Sequence, residues 1–389
     1  MRIIHTSDWH LGRSLCGMPL LPAQASFADW LVEFVRAERV DAVLVSGDIY
    51  DRALPSPETV GLLSDTLTQL VDAGAQVVVT SGNHDSSIRL GFASSLLARA
   101  GLHIRTDPQS LGSGIPVGDG VVYPLPYLEP AVEAGLLDAR ERSHAGVLGA
   151  AMTRVREAAT TSGAGPVVVM AHAFVAGGVA SESERDISVG GVQIVPASLF
   201  NDISYAALGH LHRPQAVSDR IRYSGSPLAM SFSEADHVTS VNLVDVGVEH
   251  CAVELVPTPV ARRLVRLRGE LDSLLTDARH THAESAWCHV TLTDPLRPPG
   301  ALDRLRRRFP DVLALDFEPA GAVVEARAYA ARTRPGRSEL DVCTDFLGHV
   351  RGGVAATDAE RALLQRAVEE TRVGAAVDAD ERGREAGVA

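Results

Sequence analysis

A chain of 389 residues, 46% hydrophobic and 22% charged, is long enough for two or three folded domains and excludes a disordered or low-complexity protein. The net charge of −13 argues against nucleic-acid binding through bulk charge alone, and four scattered cysteines without a CxxC pair argue against a disulfide framework or a thiolate zinc site. No run reaches the roughly 20 apolar residues of a membrane span, and "MRIIHTSDWH" carries no apolar leader, so the expected compartment is the cytoplasm, with no membrane contact.

From the start of the chain, strands and helices alternate. "MRIIHTS" reads as a strand, and "SFADWLVEFVRAE" as an amphipathic helix with Phe27, Trp30, Leu31, Phe34 and Val35 on one face. "VDAVLVS" is an apolar strand. "SPETVGLLSDTLTQLVDAG" is a helix opened by a Ser-Pro cap signal and closed by Gly74, and "AQVVVTS" is a third strand. Strands separated by helices of this length predict a parallel sheet covered on both faces. "PVVVMAH" and "ISYAALGH" continue the apolar runs, and from about Arg222 shorter, turn-rich strands follow, such as "RIRYSGSPLAMSF" and "HVTSVNLVDVG".

Five of these apolar runs end in side chains able to hold a metal: Asp8 and His10 in "SDWH", Asp48 in "SGDIYD", Asn83, His84 and Asp85 in "SGNHDS", His172 in "MAHAF", and His210 and His212 in "LGHLH". Ligand sites in α/β sheets gather beyond the carboxyl ends of strands, so segments distant in sequence can share one pocket. Carboxylate, imidazole and amide oxygen without thiolate suit hard or borderline divalent ions, and Asp48, central in the series, is the natural bridging anion. Each motif alone is weak, since DxH, GNHD and GxLH all occur in ordinary turns. The ordered set of five is specific. His5, His103 and His144 belong to the structural class of histidines.

The ordered set DxH, GDxxD, GNHD, H and GHxH resembles the calcineurin-like metallophosphoesterase superfamily. "IIHTSDWHLGRSL", "SGDIYDRALPS", "TSGNHDSSIRL", "ERDISVGGVQIVPASLF", "ALGHLHRPQ" and "YSGSPLAMSF" narrow the resemblance to the SbcD family of bacterial nuclease subunits, relatives of the double-strand-break repair nuclease of archaea and eukaryotes. The match is dense over residues 1–235 and thin beyond. It implies an α/β fold: a metallophosphoesterase β-sandwich flanked by helices, a small α+β capping domain, and a C-terminal helical partner-binding segment.

The resemblance further implies two divalent ions, usually Mn2+, one held by Asp8, His10, Asp48 and His212 and the other by Asp48, Asn83, His172 and His210. Two such ions can clamp the attacking and leaving oxygens of an in-line displacement. His84, beside the ligand Asn83, would stabilise the transition state and protonate the leaving oxygen. Asp85 would either orient the His84 ring or cap the following turn. Relatives can carry histidine where this chain has Asp51, so no role is carried to that position.

The implied function is hydrolysis of DNA phosphodiester bonds, as a 3'–5' exonuclease and hairpin- or end-cleaving endonuclease. The implied partners are DNA, an SbcC-type coiled-coil ATPase in a heterotetramer, and a second copy of the chain. A stand-alone phosphodiesterase of small nucleotides and a non-catalytic scaffold are the alternatives; the complete ligand set weighs against the scaffold.

The expected domains are 1–256 (nuclease), 257–335 (cap) and 336–389 (partner-binding helices), with a disordered tail from about residue 374. Two prolines near Pro257–Pro259 mark the first boundary. From Pro257 to Arg337, 14 arginines stand against 10 acidic residues, a local charge of +4, and the chain has no lysine. Every basic contact therefore falls to arginine, whose fork suits phosphate, although genome base composition gives the same count. Arg304, Arg306, Arg307 and Arg308 are either a DNA-contacting cluster or a solvated helix face. Leu340, Cys343, Phe346, Leu347 and Val350, then Leu363, Leu364, Ala367 and Val368, lie at helical spacing. Each apolar face needs a surface, either the cap or the ATPase coiled coil.

Overall fold

The computed structural model describes residues 1–161, 163, 165–181, 184, 194–260, 262–319, 338–351 and 354–385, with side chains to residue 371. The chain divides into two compact units, Met1–Leu264 and Val265–Ala389.

In the first unit the central strands are continuous apolar runs, as parallel strands buried on both faces require. One six-stranded sheet has the order Cys251–Pro257, Ser240–Val246, Arg2–Thr6, Ala42–Ser46, Gln76–Thr80, Leu102–Arg105; the last four are parallel and the first two antiparallel. The other has the order Gln215–Ala216, Ile221–Tyr223, Tyr205–Gly209, Val167–His172, Gly120–Pro124, Ile115–Val117, with a parallel centre and antiparallel edges.

Side chains alternate between faces along each strand. Ile3, Ala42, Leu44 and Val78 of the first sheet meet Val122, Val168, Met170 and Ala207 of the second, forming the inner core of a sandwich. The opposite residues, Ile4, Val43, Val45, Val77 and Val79, pack under helices Leu21–Glu38 and Pro57–Asp72. Val169, Ala171, Ala206 and Leu208 pack in the same core as residues of helix His144–Ala159. The sheet anticipated from the sequence is thus two facing sheets, each covered on its outer side. Helix Pro57–Asp72 starts where its sequence signal lies: the Ser56 hydroxyl accepts the N–H of Thr59, with Pro57 in the first turn.

Register brings the strand ends level. Thr6 pairs with Val45, Ser46 with Thr80, and His172 with Gly209. The Ser46 hydroxyl donates to the Ala207 carbonyl at 2.9 Å and so links the two sheets at that end. The residues following Thr6, Ser46, Thr80, His172 and Gly209 therefore leave the sandwich on one side.

The second unit holds a three-stranded sheet, Leu264–Gly269, Trp287–Leu292 and Val312–Phe317 in that order, with helices Leu271–Thr276 and Ala301–Arg306 around a core of Leu271, Leu274, Val290, Leu305 and Phe309. Its arginine run is largely used internally. Arg304 pairs with Asp272, Arg306 donates to the Val312 carbonyl, and Arg308 reaches Glu284 and the Leu274 carbonyl. Helices Glu339–Val350 and Asp358–Glu385 follow. The second of these helices covers the stretch from residue 374 to Glu385, part of the tail expected to be disordered. The "TRPGRS" linker up to Arg337, and residues 185–193 of "ERDISVGGVQIVPASLF", lie outside the described residues.

Candidate metal centre

All seven anticipated ligand residues and His84 lie at the end of the sandwich where the strands finish level. Asp8, His10, Asp48, His172, His210 and His212 are each at most 4% exposed, whereas Asn83, His84 and Asp85 are partly open. Ligand atoms of Asp8, His10 and His212 lie within 4.8 Å of one another, as do those of Asp8, Asp48 and His172, and those of His10, Asp48 and His84. Asp48 joins the groups: its Oδ2 is 3.5 Å from Nε2 of both His10 and His172. His210 stands outside these three groups. Its N–H donates to the Asp8 carboxylate at 3.0 Å, and its ring packs edge-on to His172 at 5.3 Å.

Tight turns create this convergence. Asp8, His10 and Asp48 all have positive φ, between 42° and 53°, and the chain reverses there with the N–H of His10 donating to the Asp48 carbonyl at 3.0 Å. Gly47, at φ +83°, precedes Asp48, and a Cβ there would overlap the His172 ring. A Cβ at Gly209, just before His210, would overlap the Ser46 carbonyl oxygen, so the close approach of the two sheets needs glycine at that position.

The rings are aimed from behind. His172 Nδ1 donates to the Ser46 carbonyl at 3.0 Å, and His212 Nδ1 donates to the Glu234 carboxylate at 3.0 Å. With Nδ1–H held in this way, each ring turns Nε2 to the centre and offers its lone pair there once any proton on Nε2 has left. His172 Nε2 faces Asn83 Oδ1 at 2.9 Å, and His212 Nε2 faces His10 Nε2 at 3.1 Å. In the metal-free protein a proton bridges such a pair, and a cation takes its place once that proton leaves. The donor set of imidazole nitrogens, carboxylates and one amide oxygen suits divalent ions, and the residues fit.

Without ions the electrostatics are strained. Burial pushes His10 well below the ordinary histidine range and His210 down to about 3, helped by neighbouring His172. For His172 burial also favours the neutral ring, but the Asp48 carboxylate outweighs it and holds the pKa up at about 9. Asp48 in turn, despite burial, is kept well below the carboxylate range by His172 and His10. Burial raises Asp8 to about 6.

His84 sits at the open edge. Its Nδ1 is 2.8 Å from the Asp51 carbonyl oxygen, which can only accept, so Nδ1 carries the hydrogen and Nε2 faces Asp48 Oδ2 at 4.0 Å. Among the described hydrogen bonds Asp85 meets neither the His84 ring nor the turn that follows it. Its carboxylate accepts the N–H groups of Gly82, Ile49 and Tyr50 at 2.9 to 3.0 Å, tying the GNHD loop to the loop of Asp48, while the Asp51 carbonyl holds the His84 ring. Burial and the nearby Asp48 charge raise Asp85 to about 6 even so.

Sequence reasoning missed the supports: the Ser46 and Asp51 carbonyls, which no residue type announces, and Glu234, an acidic residue two positions beyond "YSGSPLAMSF". It also missed the cleft of about 660 Å³ in front of His84, lined by Arg13, Ser14, Asp51, Arg52 and Ala53. Arg13 and Arg52 both lean on Asp51, at 3.4 and 3.6 Å.

Comparison with known proteins agrees with this geometry. The family model "calcineurin-like phosphoesterase" matches residues 1–214, and "type 5 capsule protein repressor C-terminal domain" matches residues 260–351. The SbcD subunit of the SbcCD nuclease of Staphylococcus saprophyticus is 29% identical over 318 residues, 81% of this chain and 84% of that protein. Among solved structures, one 12% identical aligns over 66% of this chain and 99% of its own with a TM-score of 0.35. A β-glucosidase from Exiguobacterium marinum, 9% identical, aligns over 82% and 89% with a TM-score of 0.21; neither bears on the fold. With the family match spanning the whole sheet end that gathers Asp8, His10, Asp48, Asn83, His172, His210 and His212, the chain belongs to the calcineurin-like phosphoesterase family, whose chemistry uses divalent metal ions.

Proposed function

We propose that this chain is the nuclease component of an SbcCD-type complex and hydrolyses DNA phosphodiester bonds at a two-ion centre loaded with Mn2+. The observation that carries the reading is the meeting of two ligand groups on one carboxylate, Asp48. Similarity to the SbcD component of an SbcCD nuclease over 81% of the chain supplies the substrate.

Asp8, His10, Asp48 and His212 would hold one ion, and Asp48, Asn83, His172 and His210 the other. Bound there, divalent ions supply positive charge to phosphate oxygens and acidify water toward neutral pH. Asn83 contributes an oxygen without charge, which limits repulsion of an anionic substrate. His84, held through Nδ1, keeps Nε2 toward the centre in either protonation state. When protonated it donates from Nε2 to the departing oxygen without turning. Arg13 and Arg52 line the approach and offer charge to backbone phosphates of a polymeric substrate.

The same reading includes 3'–5' exonuclease and hairpin-opening activity, a cytoplasmic location and assembly into a heterotetramer. Ile88, Phe92 and Leu96, which are 88%, 81% and 64% exposed just beyond the GNHD loop, support pairing with a second copy. Phe346, Val350 and Leu363, all more than half exposed on the C-terminal helices, support docking of an ATPase coiled coil. The test is cleavage of duplex and hairpin DNA by the chain with its ATPase partner after chelation and manganese return. Restoration of cutting is expected; an inert, manganese-loaded complex would overturn the reading.

A further inference from the structure

The segment Tyr223–Phe232, conspicuous in the sequence, reaches the ligand His212 through its backbone, the Ser226 N–H donating to the His212 carbonyl at 3.0 Å. It leads into a single turn, Phe232–Glu234, capped by Ser231, whose hydroxyl accepts the Ser233 N–H at 3.1 Å. The turn delivers Glu234 into the interior with its side chain 2% exposed. Oε2 accepts the Met230 N–H at 2.7 Å, while Oε1 accepts the Ser181 hydroxyl at 3.1 Å and His212 Nδ1 at 3.0 Å. A carboxylate this buried needs donors at both oxygens to keep its charge; the segment provides one through Met230, and Ser181 and His212 provide the others.

The two ligand groups are unequal in this respect. His212 is backed by an anion, Glu234, and groups with Asp8 and His10, whereas His172 groups with Asp8 and Asp48, so the asymmetry lies in what stands behind each ring. His172 is backed by the neutral Ser46 carbonyl and faces the neutral Asn83 amide. A carboxylate behind a ligand imidazole fixes its tautomer and makes the opposite nitrogen a stronger donor. We infer that Glu234 is a positioning residue that locks His212 with its hydrogen on Nδ1 and makes the ion site of Asp8, His10, Asp48 and His212 the tighter of the two. The inference rests on the two-ion reading.

The experiment is calorimetric titration of the metal-free full chain with MnCl2, for the wild type, Glu234→Gln and Glu234→Ala, alongside 15N spectra of the histidine rings without metal. Wild type should bind two ions in separable steps. Glu234→Ala should weaken the first step by roughly 10- to 100-fold, the usual effect of removing an outer-shell partner, and leave the second nearly unchanged. Glu234→Gln keeps an acceptor oxygen for Nδ1–H but no charge, so its loss should be smaller. The His212 signals should show hydrogen on Nδ1 in wild type and tautomer averaging in Glu234→Ala. If Glu234→Ala does not fold, Glu234→Gln decides by the same first-step criterion. Equal weakening of both steps, or none, overturns the inference. A wild-type chain that takes up no manganese overturns the two-ion reading itself.

Discussion

The Asp85 carboxylate accepts the backbone N–H of Ile49 at 3.0 Å and thereby fastens the residue after Asp48 to the loop that carries Asn83 and His84. With Gly82 and Tyr50 also donating, one side chain sets the spacing of two ligand loops. Asp85→Asn leaves an NH2 facing backbone N–H groups. We expect a loss of about 1–3 kcal/mol in stability and weaker metal retention. Thermal unfolding and metal analysis after gel filtration check this. At saturating manganese the pH–rate profile should keep its shape; loss of one limb would mean that Asp85 takes part in proton transfer.

Metal loading should depend on pH through His172. In the metal-free protein, burial opposes charging this ring, but Asp48 holds its pKa at about 9, so it carries a proton at neutral pH. An ion can take Nε2 only after that proton leaves. Affinity for manganese should therefore rise with pH up to about 9, by as much as about tenfold per unit for a single proton. Calorimetry in buffers of different ionisation enthalpy should count about one released proton per chain at pH 7.5. Affinity independent of pH between 6.5 and 8.5 would contradict it.

The buried neutral ring of His5 should cost the first unit stability in acid. His5 is buried, with Nε2–H donating to the Leu208 carbonyl and Nδ1 accepting from the Tyr205 hydroxyl. Burial lowers its pKa to about 3 from 6.5. Between those values the unfolded chain takes up a proton that the folded chain refuses, so stability falls as pH drops from 6.5 toward 3. The effect is on the order of a few kcal/mol for this residue. Denaturant unfolding of chelated protein at pH 7 and pH 5 measures it. Replacement by glutamine should flatten the slope, whatever it costs in absolute stability.

Much of this site was legible because its signals are residue types. Aspartate, asparagine and histidine ending five apolar runs are conspicuous, and parallel strands must deliver such ends to one side. Ser56, Pro57 and Gly74 likewise bracket their helix by local chemistry. What stayed hidden depends on backbone groups and long-range register. The carbonyls of Ser46 and Asp51 aim two rings, yet any residue carries a carbonyl. Asp85 was ambiguous because its partners, Gly82, Ile49 and Tyr50, lie on two loops joined only in the fold. The second sheet was hidden too, since alternating inner and outer faces read as plain apolar runs when both faces are buried.

The most direct test concerns His84. Cleavage of end-labelled duplex DNA and of bis-p-nitrophenyl phosphate should be measured with manganese for the wild type and His84→Ser, with bound metal counted in each. General acid catalysis by one side chain contributes typically about 10²- to 10⁴-fold, so DNA cleavage should fall by that order while metal content stays at the wild-type level. The small diester, whose leaving group needs little protonation, should lose less. Equal DNA cleavage by both proteins, or loss of metal with loss of activity, would contradict the role assigned to His84. Turnover of the small diester with intact DNA would contradict the nuclease reading of the isolated chain.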